Sequence, residues 1–80
     1  MPELKKLLAK FNHRERALLE LLVAQIISLR WMGFEVKKLR GFHDIFRVRK
    51  GNFRIIFRRD NDIILLLSIE RRNEKTYRKY

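Results

Sequence analysis

Residues 45–58 read IFRVRKGNFRIIFR. Arginines alternate with large apolar residues on both sides of a Lys-Gly-Asn break. Alternation with a period of two is the signature of a β-strand, whose successive side chains face opposite ways. A Gly-Asn pair between two such runs reads as a two-residue hairpin turn. With Gly51-Asn52 as that turn, Lys50 faces Phe53, Arg49 faces Arg54, Val48 faces Ile55, Arg47 faces Ile56 and Phe46 faces Phe57. One face of the hairpin then collects Phe46, Val48, Phe53, Ile55 and Phe57, and the other Arg47, Arg49, Arg54 and Arg58. A three-residue loop would mix the two sets, and burial of one face selects against that.

This register sets Arg49 directly across from Arg54. Like charges in that position are destabilising. The pattern therefore predicts an anion from outside the chain that neutralises the arginine face. The plainer alternative is that the arginines solvate an open sheet face.

The rest of the chain supplies what the apolar face packs on. Pro2 suits a first helical turn, and Leu4, Leu7, Leu8 and Phe11 follow on one stripe. Asn12 with Glu15 three residues later is a capping-box pattern, so a second helix is predicted to start near His13. Leu18, Leu19, Leu22, Val23, Ile26 and Ile27 recur in it at helical spacing, and Gly33 is expected to end it. Trp31 and Phe34, at that end, are read as core packing. Downstream, DIILLLSI (62–69) is apolar without alternation, as in a strand covered on both faces. If Asp60-Asn61 makes a similar turn, Ile63, Leu65, Leu67 and Ile69 floor the arginine face and Arg71 extends it. A polar wall over an apolar floor suits a nucleotide.

The expected fold is thus α+β: an N-terminal helical hairpin (1–34) packed on a three-stranded antiparallel sheet (42–70), with a basic tail or short helix (71–80). Eighty residues make one domain, and a chain of this size buries only about 60% of its unfolded surface. With no cysteine, neither disulfides nor thiolate metal sites hold it together. Net charge is +11, of which residues 35–80 carry +8, so the C-terminal half is the expected polyanion-binding half. The stretch ALLELLVAQIISL is too short to span a membrane, which takes about 20 apolar residues, and Glu20 and Gln25 interrupt it. No export signal is recognisable; with the missing cysteines, this fits the cytoplasm.

The helical hairpin, then KKLRG, FRVRKGNFRIIF, an apolar strand and ERRNEKTY resemble the RelE/ParE superfamily of toxins from toxin–antitoxin pairs, best over residues 37–78. In its RelE branch the toxin enters the ribosomal acceptor site and cuts messenger RNA, and an antitoxin wraps it. The resemblance implies an endoribonuclease without cofactor or metal, partnered by an antitoxin (a heterotetramer being one assembly it allows), the ribosome and messenger RNA, with no membrane. It maps catalytic roles onto Arg47, Arg49, Arg54, Arg72 and Tyr77. Spacing to the tyrosine selects Arg72, whereas simple alternation points to Arg71; a bulge in the last strand would reconcile them. Lys38, Arg40, Lys50, Arg58, Arg71 and Lys75 are candidate RNA contacts, as is Lys37. His43 is read as structural. Many relatives carry lysine where this chain has Arg47 and Arg49. They also open with a β-strand, so an uncovered sheet edge is expected here, closed by the antitoxin or a second copy. Two other functions fit the sequence: a ParE-like gyrase poison that does not cut RNA, and a non-catalytic RNA-binding or ribosome-associated module.

Overall fold

The computed structural model describes residues 4–71. Two helices, α1 (Leu4–Leu8) and α2 (His13–Ile27), precede four strands: β1 (Glu35–Lys38), β2 (Ile45–Lys50), β3 (Phe53–Asp60) and β4 (Ile63–Arg71). The strands form one antiparallel sheet in the order β1-β2-β3-β4. Four strands replace the three expected. The extra one, β1, is four residues of sequence EVKK, and only Val36 among them turns apolar bulk toward the core. So short and polar an edge carries almost no periodic signal, and lysines on an edge strand discourage further pairing.

The capping box forms as the sequence predicts. The Glu15 N–H donates to Asn12 Oδ1 at 2.8 Å and the Asn12 N–H donates to Glu15 Oε1 at 3.0 Å. Helix α2 stops at Ile27, well before Gly33. Leu29 adopts a left-handed φ of 63°, and the Ser28 hydroxyl donates back to the carbonyls of Ala24 and Gln25. Gly33 (φ 87°) serves the following turn instead. Leu19, Leu22, Val23 and Ile26 reach the core, while Leu18 and Ile27 are exposed; the buried stripe is narrower than the apolar one.

That stripe packs on the sheet face made by Val48, Phe53, Ile55 and Phe57, completed by Ile64, Leu66 and Ile69 of β4. Full burial of an aliphatic or phenyl side chain contributes about 1.5–3 kcal/mol, and Phe57 is fully enclosed. Trp31 closes the far end, its ring 5.4 Å from Phe57 and 6.0 Å from Phe46, and its Nε1–H donates to the Ile26 carbonyl at 3.1 Å.

The β2–β3 register is the one the alternation implies, from Lys50↔Phe53 through Phe46↔Phe57. The β3–β4 register is not uniform. Asp60↔Ile63 through Phe57↔Leu66 gives way to Ile56↔Ser68 through Phe53↔Arg71, with a bulge between Ile56 and Phe57. A bulge inserts one residue and exchanges the faces beyond it. Ile63 and Leu65 remain on the arginine side, but Ile69 turns into the core and Arg71 follows it to the helix side. Ser68 and Glu70 take their places.

Candidate nucleic-acid interface

Pairing across all four strands arranges the face away from the helices into rows. The first runs Glu35, Arg49, Arg54, Glu70. The second runs Lys37, Arg47, Ile56, Ser68, and Ile45, Arg58 and Leu65 make a third. The first row is internally balanced: Arg49 Nη1 lies 3.5 Å from Glu35 Oε1, and Arg54 Nη1 lies 3.8 Å from Glu70 Oε1. Both distances are long for hydrogen bonds. The two ends differ in burial. Arg54 and Glu70 are 7% and 5% exposed, whereas Glu35 is exposed and Arg49 half-buried. In the third row Arg58 Nε contacts Asp44 Oδ2 at 3.0 Å. The second row contains two basic residues and no acid.

Glu35 and Glu70 were not among the sequence-derived candidates. Glu35 sits on the strand the sequence conceals, and Glu70 reaches the arginine face only because of the bulge. A sequence signal for Glu70 does exist: uninterrupted alternation would bury a glutamate beneath the helices.

The other candidates divide by face. Arg47, Arg49, Arg54 and Arg58 share the face away from the helices, with only Arg58 among them exposed. Lys38 lies on the helix side of β1, its ammonium 5.8 Å from the Phe46 ring centre. Lys50 stands at the hairpin end, 5.9 Å from the Phe34 ring centre. Arg40 is exposed in the loop before β2, as is His43.

Arg71 is committed elsewhere. Its Nη2 and Nε donate to Glu15 Oε1 and Oε2 at 2.9 and 3.3 Å, a fork that ties the end of β4 to the start of α2. Its guanidinium also lies 4.8 Å from the Phe11 ring centre. Hydrogen bonds from Arg71, then from the Asn12 backbone, hold the Glu15 carboxyl below the usual glutamate range. Arg72, Lys75 and Tyr77 lie outside the described residues.

Along the β4 edge, an open groove of about 340 Å³ separates α1 from the strand, lined by Lys6, Leu7, Ala9, Lys10, Ser68, Ile69 and Glu70. It brings the buried carboxylate and two lysines to one rim. Among the described residues there is no cluster of three or more His, Cys, Asp or Glu that could hold a metal ion, and no helix long and apolar enough to cross a membrane.

No protein-family model matches the sequence, and no curated protein matches it. A solved structure does: a chain of the RelB–RelE antitoxin–toxin complex from Methanococcus jannaschii, with a TM-score of 0.67 and 26% identity over 84% of this chain and 81% of that one. This chain is related in fold to a toxin–antitoxin component.

Proposed function

We propose that the chain is the toxin of a toxin–antitoxin pair and a cytoplasmic endoribonuclease that cuts messenger RNA on the ribosome. The observation that carries this reading is the set of basic rows, Lys37–Arg47 beside Arg49–Arg54, on the sheet face away from the helices in a fold related to an antitoxin–toxin complex. Cleavage by the neighbouring 2′-hydroxyl requires that hydroxyl to be deprotonated, the phosphorane to be stabilised and the 5′-oxygen to leave. Guanidinium groups suit the second task, because they stay protonated and hold phosphate oxygens in a fork. Arg54 holds the scissile phosphate in this scheme, and Arg47 and Arg49 neutralise the charge that develops. The strong positive charge of the chain favours an acidic antitoxin as its partner.

The test is cell-free translation with messenger cleavage mapped by primer extension. Cuts at the ribosomal acceptor site that vanish with Arg54→Ala support the reading; intact messenger at full translation overturns it. The buried Arg54–Glu70 pair favours one second reading, a non-catalytic RNA-binding module in which that arginine is structural. It predicts RNA binding without cleavage.

A further inference from the structure

The scheme above lacks a base. Arginine stays protonated and cannot serve, and both histidines, His13 and His43, are exposed and stand outside the strands that carry the arginine rows. The described carboxylates nearest the arginines are mostly committed: Glu15 to Arg71 and Asn12 on the helix side, Asp44 to Arg58, and Glu35 to Arg49 at the exposed edge. Glu70 differs. It is almost completely buried, yet its Oε1 has no hydrogen-bond partner among the described residues. A buried acceptor left without a donor is costly. Among the described residues its ion-pair partner is Arg54, whose Nη1 is 3.8 Å away, and the groove leads to Glu70 past Lys6 and Lys10.

We propose that Glu70 is the general base of RNA cleavage, an assignment that rests on the ribonuclease reading. The substrate's 2′-hydroxyl supplies the missing donor at Oε1. Glu70 takes that proton as the 2′-oxygen bonds to phosphorus. The bond from phosphorus to the 5′-oxygen breaks, and the 5′-oxygen takes a proton from water. The products are a 2′,3′-cyclic phosphate and a 5′-hydroxyl, and Glu70 returns its proton to solvent. Arg54, beside the carboxylate, faces the non-bridging oxygens, while Lys6 and Lys10 take flanking phosphates along the groove.

Among the described residues, the charged groups around Glu70 are Arg54 from β3, Arg49 next along the row, Lys6 from α1 and Lys10 from the turn after it; Arg71, its chain neighbour, is turned to the helix side. A change of pH profile on substituting residue 70 is the readout that reports the carboxylate.

The experiment is single-turnover cleavage of ribosome-bound messenger across about pH 6 to 8, where a positioned base contributes roughly 10²–10⁴-fold. A carboxylate base at this position predicts a nearly flat wild-type profile. Glu70→Gln is expected to be at least about 100-fold slower at the acid end. With hydroxide left as the base, its rate should climb close to tenfold per pH unit, while ribosome binding is unchanged. Glu70→Asp should keep the flat profile at reduced rate. If Glu70→Gln shows wild-type rate and profile, Glu70 is merely structural; if wild type itself climbs tenfold per unit, it uses no such base. Either result overturns the assignment and leaves the ribonuclease reading standing. A wild type that never cuts removes both. Should Glu70→Gln fail to fold by circular dichroism, the wild-type and Glu70→Asp profiles still decide.

Discussion

Arg49 and Arg54 stand opposite one another across the hairpin, and each has a carboxylate on its far side, Glu35 at 3.5 Å and Glu70 at 3.8 Å. The repulsion between the two arginines is therefore offset within the chain by a row that reads minus, plus, plus, minus. A bound phosphate adds to this balance and is not a condition of folding. The two ends are unlike in solvent access, and stability measurements can expose that difference.

Removing one partner of a buried ion pair leaves an uncompensated charge and costs about 3–5 kcal/mol, whereas an exposed pair contributes about 0–1 kcal/mol. Glu70→Ala is therefore expected to lower the unfolding free energy by about 3 kcal/mol, and Glu35→Ala by less than about 1 kcal/mol. Urea denaturation monitored by Trp31 fluorescence measures both. Equal losses would mean that the burial of the Arg54–Glu70 end does not govern the energetics.

The Glu15–Arg71 fork makes stability depend on pH. The folded-state carboxyl titrates below its unfolded value because Arg71 and the Asn12 backbone hydrogen-bond its charged form. The sign follows from linkage: this contribution is fully present above the unfolded glutamate value, about 4.3, and is lost as pH falls through the lower folded one. Urea midpoints measured downward from about pH 6 should therefore fall in acid, and less steeply for Glu15→Gln. Parallel curves for the two proteins would show that Glu15 contributes nothing to the acid slope.

How much of this was legible in the sequence depends on which residues carried periodic information. The Gly51-Asn52 hairpin and its pairings follow from alternation over ten residues, since a slip of one would bury arginine under the helices. The Asn12–Glu15 cap is equally local. The bulge at Ile56–Phe57 is not: DIILLLSI is apolar at every position from Ile63 through Leu67, so nothing in it marks where the faces exchange. That silence placed Ile69 and Arg71 on the wrong side and hid Glu70. Strand β1 escaped notice for the opposite reason, having one inward apolar residue in four. The end of α2 was set by Leu29 adopting a left-handed conformation, which favours glycine, while Gly33 was available four residues later.

The capping box joins the two helices to the end of the sheet, because Glu15 serves both Asn12 and Arg71. Asn12→Ala removes the side-chain acceptor for the Glu15 N–H and should cost about 1 kcal/mol, with Asn12→Ser near neutral. Chemical denaturation of the three proteins at neutral pH checks this. A neutral alanine variant would mean that the Arg71 fork alone holds the start of α2.

Charge along the second row should govern RNA affinity if the sheet face away from the helices is the binding surface, because Lys37 and Arg47 share that row with no acidic residue. Each phosphate neutralised on a single strand contributes about −0.7 to the slope of log affinity against log salt. Lys37→Gln and Arg47→Gln are each expected to flatten the slope by about that amount. Lys38→Gln, on the helix side, should leave it unchanged, and Glu35→Gln should raise affinity by freeing Arg49 for phosphate. Fluorescence anisotropy with a short single-stranded RNA, from about 50 to 200 mM salt, reads all four. A slope that responds to Lys38 and not to Arg47 would move the RNA to the opposite side of the sheet and remove the arginine rows from the interface.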